Sequence, residues 1–94
     1  MLYMNILTWD PDKRNEVIKR AQQIGFEHEG MKVIGTWADC DGWRAFQLVD
    51  VPPNIDPKLT LKANFTWNDL IKIETIAVME AEAMVKLFAS MKLG

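Results

Sequence analysis

The dipeptide Asp-Pro occurs twice in this chain, at 10–11 and at 56–57, and each time a helical pattern follows it. Aspartate offers a side-chain oxygen to the orphan N–H groups of a helix start, and proline at the first helical position gives up a hydrogen bond that is never made. Two helix starts marked in this way set the plan of the chain. Before the first, Leu2 to Trp9 alternates, with Leu2, Met4 and Ile6 to one side and Tyr3, Asn5, Leu7 and Trp9 to the other, as a half-buried strand does. After it, Val17, Ile18, Ala21 and Ile24 form one helical stripe, which Gly25 ends.

Between the two starts, Met31 to Asp39 and Trp43 to Asp50 read as strands joined by a tight turn over Asp39 to Gly42. Two registers are open to this hairpin. A three-residue loop with Gly42 in a left-handed bulge sets Trp37 beside Ala45 and Gln47, whereas a two-residue Asp41-Gly42 turn sets it beside Phe46; the bulged register is the one expected. After the second start a helix runs towards Trp67, Leu70 to Val78 reads as a fourth strand, and Met84, Leu87, Phe88 and Met91 fall at helical spacing, with Glu80 and Glu82 early and Lys86 and Lys92 late. The order is β-α-β-β-α-β with a terminal helix. It predicts an α+β, ferredoxin-like domain over residues 1–94, built on a four-stranded antiparallel sheet.

Two crossover helices cover one face of such a sheet. Leu2, Met4, Ile6, Ile34, Phe46, Leu48, Ile71 and Ile73 are the apolar set expected beneath them. The opposite face then carries Tyr3, Leu7, Trp9, Val33, Trp37, Trp43, Val49, Ile76 and Val78, more apolar surface than a monomer leaves in water. A homodimer through this open face, a dimeric α+β barrel, is the expected remedy. Asn5, Gln47, Lys72 and Glu74 are the polar exceptions on that face, and each must find a partner, water or a ligand.

Several segments together resemble an uncharacterised domain-of-unknown-function family within the dimeric α+β barrel superfamily. They are Met1 to Trp9 ending in Thr8-Trp9, Gly35-Thr36-Trp37, Arg44-Ala45-Phe46, Trp67-Asn68-Asp69-Leu70, and the strand from Glu74 to Val78. The resemblance spans nearly the whole chain and implies the fold and a dimer, but no reaction and no catalytic residues. The wider superfamily includes cofactor-free monooxygenases, haem-degrading enzymes, isomerases and small-molecule sensors. Its haem-degrading members pair an Asn on the first strand and a Trp after the second helix with an axial His. Asn5 and Trp67 match, but Ala77 stands in the stretch corresponding to the His, which argues against haem binding of that type.

Composition narrows the chemistry further. At 49% hydrophobic and 26% charged the chain is an ordinary globular one. A net charge of −2 and scattered basic residues argue against a nucleic-acid partner. No signal peptide or membrane-length apolar run is visible, so no membrane partner is expected and a cytoplasmic location is the default. The single cysteine, Cys40, suits a reducing compartment. One Cys and one His, His28, make a poor metal set, and the five isolated glycines form no phosphate loop, so neither metal nor cofactor is expected. Cys40 and His28 fall in separate loops outside the expected interior, which makes a surface thiol the better reading. Trp67 and Asp69 read as structural.

Two functions fit. The preferred one is a dimer that encloses a small, mainly apolar organic ligand between its paired sheets, with Asn5 and Gln47 orienting it and Trp9 and Trp37 as aromatic walls. The alternative is a cofactor-independent monooxygenase- or isomerase-like enzyme in which Glu74, on an otherwise apolar face, is the catalytic base and Asn5 or Gln47 steadies an enolate-like oxygen.

Overall fold

Both Asp-Pro pairs open helices, by different means. Asp56 accepts a hydrogen bond from the Lys58 N–H at 3.0 Å and caps a helix that begins at Pro57. Asp10 makes no side-chain cap; its carbonyl accepts from the Lys13 N–H at 2.9 Å in a short 3-10 turn, Pro11–Lys13, that leads into the first helix. The computed structural model describes residues 1–91. Its elements are β1 (Leu2–Thr8), α1 (Arg14–Ile24), β2 (Lys32–Ala38), β3 (Arg44–Asp50), α2 (Pro57–Trp67), β4 (Lys72–Val78) and α3 (Ala81–Met91). The strands form one antiparallel sheet in the order β2-β3-β1-β4, which is the ferredoxin-like arrangement that the sequence predicts. Lys92, expected to close the last helix, lies outside the described residues.

The hairpin takes the register that the sequence analysis set aside. Asp39 N–H donates to Arg44 O at 2.8 Å, closing a four-residue loop, Cys40 to Trp43, and Trp37 pairs with Phe46. Gly42 does adopt the left-handed conformation, with φ +86°. A four-residue loop has the same parity as a two-residue one, however, so side chains fall on the faces that the shorter turn would give. Asp39 organises the loop by accepting from the Asp41 backbone N–H and from the Arg44 guanidinium. Those bonds, the Asp41 N–H foremost, hold its carboxyl below the usual carboxylate range against partial burial.

Register also corrects which face is covered. Leu7 pairs with Ala45 on one side and Ile73 on the other, so these three share a face, and Ile71 and Ile73 do lie inward as expected. The covered face therefore carries Tyr3, Asn5, Leu7, Ala45, Gln47 and Val49. Ala45, Gln47 and Val49 are the buried residues of β3. Leu2, Met4, Ile6, Phe46 and Leu48, expected in the core, form the open face with Lys72, Glu74, Ile76 and Val78. In β2 a bulge between Val33 and Gly35 displaces Ile34, which is exposed, and reverses parity along the strand. Val33 thus lies on the covered face and Trp37 on the open one. Gly35 is needed there because a Cβ would meet the Trp37 indole at 2.6 Å.

Every residue of α3 is exposed, including Met84, Leu87, Phe88 and Met91. The chain's radius of gyration is 15.6 Å, where a compact domain of this length measures about 12 Å. Its accessible surface is 7109 Å², where a monomer of this mass exposes about 5,500 Å².

Candidate functional site

The inner face of the sheet should be its driest surface, yet a polar row crosses it from edge to edge. Thr36, Gln47, Asn5 and Thr75 are successive partners on β2, β3, β1 and β4. Above this row, between the sheet and the two helices, lies a cavity of about 420 Å³. Leu7, Ile73 and Tyr3 flank the row, Trp9, Phe26 and Trp67 supply aromatic walls, and Ala21 and Ala63 on the facing helices are too small to fill the space.

Helix α2 explains much of that space. Thr60, Ala63, Asn64 and Trp67 recur at helical spacing and line the cavity, while Leu61 and Phe65 point to solvent at 51% and 67% exposure. Ahead of Trp67 the helix turns the Thr60 hydroxyl and Asn64 amide towards the cavity and Leu61 and Phe65 away, the reverse of a surface helix built only for packing. Thr60, Asn64 and Thr75 line the cavity and are exposed, so it opens between α2 and β4.

At one end the helices are tied by Arg20 of α1. Its guanidinium donates to Thr66 O at 2.8 Å, engages both carboxylate oxygens of Asp69 at 2.6 and 2.9 Å, and lies 5.7 Å from the Trp67 ring centroid. This paired geometry, the Arg20 hydrogen bonds first, holds the Asp69 carboxyl below its ordinary range and raises the Arg20 guanidinium above its own. Trp67 is buried in a cluster with Val17 and Ile71. Trp67 and Asp69 hold the closed end of the cavity, with Trp67 also forming part of its wall.

Gln47, 3% exposed, has no hydrogen-bonding capacity to spare on its amide nitrogen. Its Nε2 donates to Phe26 O at 3.1 Å and to Thr36 Oγ1 at 3.2 Å. Because the Phe26 carbonyl can only accept, the amide orientation is fixed, and Gln47 Oε1 receives the Nε2–H of His28 at 3.2 Å. This puts a proton on His28 Nε2 and, in the neutral ring, makes Nδ1 the acceptor. Asn5 is arranged differently: Thr75 Oγ1 donates to its Oδ1 at 2.8 Å, and among the described residues nothing accepts from its amide nitrogen.

Of the residues expected to form the site, Asn5, Trp9 and Gln47 do line one cavity, although it lies under the helices and not between paired sheets. Trp9 is anchored by its Nε1–H donating to Gly42 O at 3.1 Å. Trp37 and Glu74 lie on the opposite face of the sheet, Trp37 54% exposed and Glu74 beside Ile6, so the fold does not bring them to Asn5 and Gln47. An enolate site sharing Glu74 with those amides is not assembled within the chain. His28, placed outside the interior by the sequence reading, lines the cavity, while Cys40 is exposed in the hairpin loop. Among the described residues no group of three or more His, Cys, Asp or Glu side chains converges as a metal set, and no helix is long and apolar enough to cross a membrane.

The family described as a domain of unknown function, DUF3303, matches residues 1–92. No curated protein and no solved structure matches the chain.

Proposed function

Since the chain belongs to the DUF3303 family, whose description assigns no activity, we propose a function from the cavity: the protein is a homodimer that binds a small organic molecule between the sheet and the helices of each protomer. The observation that carries this reading is the polar row. Four hydrogen-bonding side chains across the middle of a covered sheet face forgo apolar packing that would stabilise the fold, and a bound molecule restores what they forgo. Asn5 and Trp9 retain the binding roles expected of them, Gln47 lines the site with its amide already committed to Phe26, Thr36 and His28, and Trp67, Asn64 and His28 join them.

The dimer is supported by surface area. The chain exposes about 1,600 Å² more than a monomer of its mass, and twice that falls within the range of about 2,000–5,000 Å² buried by obligate homodimers. The open face, with Met4, Ile6, Phe46 and Leu48 half-buried and Trp37 and Ile76 exposed, and the unpacked α3 offer apolar surface for such an interface.

Native mass spectrometry of the purified protein tests both parts. Twice the 10.8 kDa chain mass with a small-molecule adduct, the adduct being lost in Ala63→Trp, is the expected result. A monomeric mass overturns the dimer. Absence of any adduct, joined to absence of saturation transfer from every member of a fragment library, overturns the ligand.

A further inference from the structure

The hydrogen bonds of the cavity specify more than the presence of a ligand. We infer that the ligand is an uncharged, flat ring compound whose oxygen accepts a hydrogen bond from the amide nitrogen of Asn5, and that Thr75 is the positioning residue that aims this donor. The inference rests on the cavity being a binding site and goes further by naming what fits it.

Charge is decided by what is missing from the walls. None of the side chains lining the cavity is Asp, Glu, Lys or Arg. A carboxylate or ammonium entering it loses hydration and meets no Asp, Glu, Lys or Arg, and the His28 ring in the wall has its Nε2–H committed to Gln47, so charged analogues bind more weakly than neutral ones. Shape follows from Trp9, Phe26 and Trp67, which offer ring faces and edges, and from Ala21 and Ala63, which leave a gap between facing helices. A volume of about 420 Å³ has room for a small fused-ring system.

Orientation follows from accounting for the polar groups that the sheet and its flanking aromatics present. Gln47 has committed both amide hydrogens, to Phe26 O and Thr36 Oγ1, and its oxygen is engaged by His28. The Trp9 indole N–H is committed to Gly42 O, and the Tyr3 hydroxyl donates to Met1 Sδ at 3.4 Å. Asn5 stands at the centre of the polar row with its oxygen held by the Thr75 hydroxyl, which turns the amide nitrogen into the uncommitted donor of the sheet face; Asn64, exposed on α2, is the other lining amide with no side-chain bond among the described residues. A ligand oxygen there satisfies Asn5, and a hydrocarbon leaves it unsatisfied.

Three probes of one shape separate these claims: 2-naphthol, naphthalene and 2-naphthoate, titrated by calorimetry into the whole protein. The expected order is 2-naphthol at least tenfold tighter than naphthalene, with 2-naphthoate at least tenfold weaker than 2-naphthol. Asn5→Leu should bring 2-naphthol down to the level of naphthalene. Thr75→Val, at an exposed position that tolerates the change, should narrow the ratio of 2-naphthol to naphthalene affinity by severalfold, whereas a merely structural role would weaken both probes alike and leave the ratio as it was. Binding of 2-naphthoate as tight as 2-naphthol overturns the uncharged class and leaves the cavity a binding site. A ratio unaltered by both variants overturns the role of Asn5. Failure of 2-naphthol and naphthalene alike to bind overturns the flat-ring class and this inference with it, while an adduct in the native mass spectrum keeps the cavity a binding site.

Discussion

The excess surface can be converted into a measured quantity. If two copies fold as one unit, unfolding releases two chains, and each tenfold dilution lowers the stability of the dimer by about 1.4 kcal/mol. With about 2.1 cal/mol/K of unfolding entropy per residue, two 94-residue chains give about 0.4 kcal/mol/K. The melting midpoint should then fall by about 3 to 4 °C per decade of dilution, or about 7 °C between 100 and 1 μM. Differential scanning calorimetry and circular dichroism cover this range together. A single substitution strengthens the test: Met4 lies on the open face of a central strand, paired with the apolar Leu48 and Ile76. In a monomer Met4→Lys places a charge in water and changes stability by no more than about 0.5 kcal/mol. In the dimer it buries an unpaired charge and costs more than about 3 kcal/mol. A midpoint independent of concentration, with equilibrium sedimentation returning 10.8 kDa throughout, would refute the reasoning from surface area.

Other outcomes follow from single contacts. Gln47→Leu should destabilise the fold by about 2 kcal/mol in urea titrations, because it strips partners from Phe26 O, Thr36 Oγ1 and His28, a loss that the added leucine burial only partly offsets. The Asp69 carboxyl titrates lower in the folded chain than in the unfolded one, so its contribution is complete above the unfolded value of about 3.9 and is lost as pH falls through the folded value. Asp69→Asn should therefore lose less stability than the parent between pH 5 and pH 2, and identical acid profiles would count against the Arg20 pairing. Gly42→Ala, at φ +86°, should cost about 1 kcal/mol in thermal melts through left-handed strain alone.

Local signals in the sequence carried the fold. The Asp-Pro pairs, Gly25, Gly42 and the alternation in β1 and β4 each act within a few residues, and together they place every element in order. What they do not contain is the sign of a face. In β1 both sets, Leu2-Met4-Ile6 and Tyr3-Leu7-Trp9, are apolar enough to be core, and only pairing with a distant strand chooses between them. β4 was legible because Lys72 and Glu74 contrast with Ile71 and Ile73; extending that contrast across the Leu7–Ile73 pair gives the observed faces. The bulge at Ile34 leaves no signature in its own segment, where Val33-Ile34 reads as ordinary strand.

The site was half legible for the same reason. That Asn5 and Gln47 share a face follows from alternation and holds. Glu74 and Trp37 were attached to them by the inverted register and the unseen bulge. His28 sits in a loop whose path is set by Gln47, on another strand, so nothing near it in sequence announced its position. Thr60 and Asn64 were readable: a helix that places them with Ala63 and Trp67, and sets Leu61 and Phe65 opposite, has its faces exchanged.

The polar row also divides the interior. On one side lies the cluster of Val17, Trp67 and Ile71, bound by the Arg20 clamp; on the other, Val49 is buried without a comparable cluster. The two ends of the molecule should consequently open independently. Amides around Trp67 and Ile71 will exchange with solvent deuterium only on global unfolding, and those of the 25–31 segment much sooner. Protection is graded along the strands, and the weakly held end, where Phe26 and His28 sit against Gln47, can loosen around a molecule enclosed between sheet and helices without the fold being lost.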